Sequence, residues 1–136
     1  MGSFLSRLFR CRGVASASAS SSESSRIVTF HSSAGWQLHF NSAKENPKLM
    51  VIDFAASWCG PCKFMEPVVH AMANKFTEVE FVKIDVDDLP DVSQQFGVKA
   101  MPTFVLVKKG KELLRLLLEK QMISFCLAKL KTLNVL

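Results

Sequence analysis

Two cysteines, Cys59 and Cys62, flank Gly60 and Pro61 in the stretch DFAASWCGPCKF. Thiols this close serve one of three chemistries: part of a metal knuckle, a structural disulfide, or a dithiol that cycles between reduced and disulfide forms. A structural zinc site takes four ligands, commonly two such pairs, or one pair and two closely spaced histidines. The other candidates, His31, His39, His70, Cys11 and Cys126, form no matching knuckle. Covalent haem attachment needs a histidine directly after the second cysteine, and Lys63 stands there. A structural disulfide across two residues would close a very small loop and constrain little chain entropy. The residues therefore point to a redox dithiol, which needs no metal and no organic cofactor.

A thiol attacks as its thiolate, so the fold must stabilise that anion. The residues around the pair supply the means. LMVIDFAA (49–56) is a short, mostly apolar run, as expected of a central strand covered on both faces. Residues 60–76 read as a helix, with Met65, Val68, Val69, Met72 and Phe76 at helical spacing and Pro67 placed to kink it. Cys59 thus falls between a strand end and a helix start, where free N–H groups and the helix dipole favour a thiolate. Cys62 lies about one turn further on, placed to attack a mixed disulfide formed on Cys59.

The flanking segments alternate. RIVTF (26–30) reads as a strand, and Ser32 and Ser33 are N-cap candidates for a helix that stops before Pro47. VEFVKIDV (79–86) is another strand, and LPDVSQQFG is a short helix opened by Pro90 and closed by Gly97. TFVLVKKGKELLRLLL reads as two strands joined at Lys109-Gly110-Lys111. A last helix is expected over 119–133, with Ile123, Cys126, Leu127 and Leu130 on one side. Strands alternating with helices and closed by a hairpin give an α/β layer fold with a central mixed β-sheet.

At 136 residues the chain has room for one folded domain. No apolar run is long enough to cross a membrane as a helix, and no secretory h-region follows the first arginines, so a reducing compartment is expected. The net charge of +5 suggests a nucleic-acid partner until it is mapped. Residues 27–112 carry nine Lys/Arg against ten Asp/Glu, so the surplus sits in the two ends. Basic ends suit membrane affinity or targeting better than a phosphate-binding groove. GVASASASSSESS (13–25) is small and polar, and residues 1–25 are read as a flexible, disordered extension ahead of a domain over 26–136.

WCGPCK, preceded by VIDFAAS and followed by EP within FMEPVVHAMA, resembles the thioredoxin family, together with WQLHF, FVKIDVDDLPDV and AMPTFVLVKKGKE. The likeness runs from Arg26 to Glu112 and is greatest to plant h-type members with an N-terminal extension beginning Met-Gly. It implies a thioredoxin fold and a protein-disulfide reductase of cell redox homeostasis, recharged from NADPH by a thioredoxin reductase, with disulfide-bearing client proteins as the other partners. By the same resemblance Cys59 is the attacking and Cys62 the resolving thiol. Asp53, which alone would read as a strand-end carboxylate, becomes the group that moves the resolving thiol's proton. Lys83 becomes the lysine that tunes it. Pro102 matches the cis-proline facing the cysteines. Trp58, Gly60, Pro61, Ala100, Met101 and Pro102 form the substrate rim. The rival functions are a non-catalytic adaptor docking through the Trp58–Met101 rim, which would not need both thiols, and a disulfide isomerase or oxidase.

Both ends depart from a bare domain. MGSFLSRLFRCRG places Gly2 and Ser6 at N-myristoylation spacing. One acyl chain binds membranes weakly, and Arg7, Arg10, Arg12 or S-acylation of Cys11 would be the second signal. The localisation expected is cytoplasmic, with membrane association through Gly2 and Cys11. The Arg- and Ser-rich start also fits a mitochondrial transit peptide. After Glu112 the family pattern stops: Leu117, Leu118 and Glu119 stand where members carry a Val-Gly-Ala-like step. The atypical Leu-rich segment 113–136 is read as the product of a shifted frame or alternative splicing, which the intact mass of the native protein would test.

Overall fold

The computed structural model describes residues 25–117 and 128–133. The expectations for the extension, Gly2 and Cys11, and for most of the last helix, including Cys126, lie outside these residues. Five strands, β1 (Ile27–Phe30), β2 (Leu49–Ala55), β3 (Glu80–Asp85), β4 (Thr103–Lys108) and β5 (Lys111–Leu117), form one sheet in the order β1-β3-β2-β4-β5. β3 runs parallel to both β1 and β2, while β4 is antiparallel to β2 and β5. This is the central mixed sheet expected from the sequence, with helices packed against it.

The sheet owes its layers to strand alternation. On β2, Leu49 and Val51 face a core shared with Met65, Val69, Met72 and Phe76 of α2 (Gly60–Lys75). Met50, Ile52 and Phe54 face the opposite core, with Trp36 of α1 (Ser33–Ala43) and Val92 of α3 (Pro90–Gln95). All seven residues of β2 are buried, so the strand is covered on both sides. Residues 128–132 form a helical turn whose Leu130 is fully buried in the α2-side core.

Local chemistry sets the element ends. The Ser32 hydroxyl accepts from the Gly35 N–H at 3.2 Å and caps α1, which stops at Ala43, earlier than Pro47 alone suggested. Trp36 and Phe40, one turn apart, stack at 5.1 Å. α2 continues across Pro67, whose ring nitrogen can donate no bond to the preceding turn. The hairpin turn is Lys109-Gly110 alone, both at positive φ, as a tight turn matching strand twist requires. Lys111 pairs with Lys108 and already belongs to β5.

Candidate active site

β2 carries its chain to Ala55, and a short loop then turns into α2. Cys59 is the N-cap of that helix, and its sulfur accepts from the Cys62 N–H at 3.2 Å. Gly60 and Pro61 form the first turn, where proline suits the helix start because its missing N–H would be unpaired there anyway. The turn brings the two Cα atoms to 5.3 Å, and Cys59 and Cys62 are joined as a disulfide. The helix dipole and the free N–H groups of the first turn converge on the Cys59 sulfur. Both cysteines are buried against Ala55 and Ala56, with Val86 and Met101 packed alongside.

The loop before β4 closes the other side. Met101-Pro102 is a cis peptide, and the Met101 carbonyl oxygen lies 3.6 Å from Cys59 Sγ. Pro102 is buried, Met101 is half-buried, and Ala100, Gly60 and Pro61 are exposed. Trp58 is 66% exposed beside the sulfurs, and its indole Nε1–H donates to Asp87 Oδ2 at 2.8 Å. That bond fixes the ring's edge and leaves its apolar face to solvent.

Beneath the disulfide, strand alternation delivers charge. Asp53 follows Leu49 and Val51 on the α2 side of β2, and Lys83, its register partner on β3, follows Phe81 on the same side. Asp53 is 8% exposed, and its Oδ1 has no hydrogen-bond partner among the described residues. Burial is the main reason its pKa is pushed from 3.8 up to about 7; Lys83 pulls it down and Glu66 pushes it up. The Lys83 Nζ donates to Glu66 Oε1 at 3.1 Å rather than to Asp53. A cavity of about 420 Å³ connects these groups, lined among others by Ser25, Asp53, Cys62, Glu66 and Lys83.

Sequence reasoning did not find Glu66 or Asp87. Glu66 lies four residues after Cys62 and so on its helix face, which was a usable signal. Asp87 carried none, since one aspartate in a run of acids does not announce an indole partner. Of the histidines, to which no chemistry is assigned, His39 meets Glu80 at 2.7 Å, His31 meets Asp88 at 3.5 Å, and His70 lines the cavity. Among the described residues no cluster of histidine, cysteine or acidic side chains could hold a metal ion.

The chain is similar to known proteins in sequence and fold. The thioredoxin family model matches residues 28–122. Thioredoxin H2 of Arabidopsis thaliana is 59% identical over 117 residues, covering 86% of this chain and 88% of that one. Thioredoxin H2-2 of Oryza sativa subsp. japonica is 49% identical, covering 85% of this chain and 84% of that one. The crystal structure of thioredoxin NaTrxh from Nicotiana alata superposes with a TM-score of 0.73 at 59% identity, covering 77% of this chain and 92% of that one.

Proposed function

Because the chain belongs to the thioredoxin family and is a thiol–disulfide oxidoreductase that reduces protein disulfides, we propose that Cys59 and Cys62 are its attacking and resolving thiols. The observation that carries this reading is the sulfur pair itself, closed as a disulfide at the N-terminus of α2 with Cys59 as the N-cap. In the reduced protein the Cys59 thiolate attacks one sulfur of a client disulfide. The client S–S bond breaks, and the expelled thiolate takes up a proton. Cys62 then passes its proton to Asp53, and its sulfur attacks Cys59 Sγ. The mixed disulfide breaks, the Cys59–Cys62 bond forms, and the second client thiolate leaves and is protonated. Two electrons pass to the client; one of its two protons is that of Cys62, handed on by Asp53, and the other comes from water, which took the proton Cys59 lost on ionising. Lys83 tunes the carboxyl that moves the proton.

Family membership implies disulfide-bearing clients and a thioredoxin reductase as partners, and thioredoxins carry no prosthetic group. The electrons that reopen the Cys59–Cys62 bond come, on this reading, from NADPH through that reductase. Clients dock on the rim made by Trp58, Gly60, Pro61, Ala100, Met101 and Pro102, with an extended client segment pairing to the Met101 backbone. The chain works in the cytoplasm, and acylation at Gly2 and Cys11 brings it to membranes.

Insulin reduction coupled to NADPH and a thioredoxin reductase tests the activity. The full chain should turn over and Cys59→Ser should not. Turnover that survives in Cys59→Ser would sink the proposed nucleophile. For the membrane reading, flotation of the expressed protein with vesicles should depend on Gly2, and a Gly2→Ala variant that still floats would remove acylation as the cause.

A further inference from the structure

Glu66 has no part in the dithiol cycle as written above, yet it holds the one cation paired in register with Asp53. Lys83 and Asp53 are neighbours on adjacent parallel strands and project to the same face. An ammonium so placed would ordinarily close on a buried carboxylate, since little else offsets the loss of water around that charge. Here it donates instead to Glu66 on the second turn of α2. Glu66 is half exposed, so holding Lys83 there keeps the ammonium partly in water.

We propose that Glu66 is a positioning residue: it retains the Lys83 ammonium and keeps it off Asp53, so that this carboxyl remains free to take the Cys62 proton and give it back. The inference rests on the proton-transfer reading of Asp53. A lysine closed directly on Asp53 would favour its ionised form. The carboxylate would then be a weaker base for the Cys62 thiol and would hold the accepted proton less well. Among the described residues, the charged and titratable groups that line the cavity with Asp53 are few. Lys83 and Asp85 come from β3, and Cys62, Lys63, Glu66 and His70 from α2; β4 presents Phe104, which cannot titrate. Among the described residues Lys83 makes no ion pair other than that with Glu66.

The test is the titration of the Asp53 carboxyl, followed by carbon NMR in the oxidised full-length protein, where Cys59 and Cys62 do not titrate. Glu66→Gln, Lys83→Gln and the double variant are compared with the parent. Glu66→Gln should lower the Asp53 midpoint by about one pH unit, as expected when a cation moves into contact. In the Lys83→Gln background the same change should move it far less. A midpoint unmoved by Glu66→Gln overturns the proposal. So does an equal shift in both backgrounds, which would mean a direct field of Glu66 rather than retention of Lys83. The rate of the resolving step separates this result from the parent reading. Asp53→Asn should slow resolution severalfold at pH 7, and Glu66→Gln should slow it by less. If Asp53→Asn resolves at the parent rate, proton transfer by Asp53 falls and this inference falls with it. If Asp53→Asn is slow while Glu66→Gln leaves the midpoint in place, only the role of Glu66 is lost.

Discussion

Asp53 and Lys83 are register partners on β2 and β3, yet the lysine bonds Glu66 and the carboxyl stays buried with an unpartnered Oδ1. This has a consequence for stability. The pKa of Asp53 is raised from 3.8 in the unfolded range to about 7 in the fold, chiefly by burial. The folded chain therefore keeps a proton that the unfolded chain releases between those pH values. Stability contributed by this proton is complete below the lower value and is lost as pH rises through the upper one. Asp53→Asn removes the titration. Relative to the parent, the variant should gain stability from pH 5 to pH 8 by an amount on the order of a few kcal/mol, measured by urea unfolding. A stability difference that is flat with pH would contradict the buried ionisation.

Cys62→Ser leaves Cys59 able to attack and removes the thiol that resolves. The variant should accumulate a client adduct through Cys59, visible as an added client mass in non-reducing mass spectrometry and released by dithiothreitol. Adducts carried by Cys62 in a Cys59→Ser variant, and none by Cys59, would reverse the assigned order of attack.

Trp58 is held at its edge by Asp87 and exposes its ring beside the sulfurs. Trp58→Phe keeps an aromatic ring and loses that bond. Because the bond is exposed, its loss should cost less than about 1 kcal/mol in stability. The KM for a protein client should rise severalfold while kcat changes little, since the rim binds and the sulfurs react. An unchanged KM would remove Trp58 from the docking surface.

Leu130 is fully buried with Phe104 and Leu116, although it lies past residue 122, where the match to the family model ends, ten residues beyond the Glu112 expected from the sequence. Leu130→Ala should cost about 2–5 kcal/mol, as for other leucines cut back in a closed core. A loss below about 0.5 kcal/mol, the scale of a surface change, would mean that this segment does not complete the core.

The fold was legible where one local rule dominated. β2 announced itself as an unbroken apolar run because helices cover both of its faces. Ser32 was readable as a cap through its hydroxyl, and Gly110 as a turn through its free backbone, because each acts within three or four residues of itself. The cysteine pair was readable for the same reason: one helical turn sets its geometry. The charge network was not. Lys83 and Glu66 meet only because β3 lies beside β2 and α2 packs on that face, and each taken alone reads as a solvated surface charge. The Arg115 guanidinium donating to the Phe96 carbonyl and Ser33 donating to Asp91 are likewise long-range meetings. Element ends moved by one to three residues where a cap or a turn decided them, as at Ala43 and at Lys111.

Ser25, the first residue described, is among those lining the cavity that holds Asp53 and Cys62. The first described residue of the domain therefore forms part of the wall around Asp53 and Cys62. A side chain bulkier than serine at position 25 would narrow that space, so the edge of the domain and its buried acid share one wall.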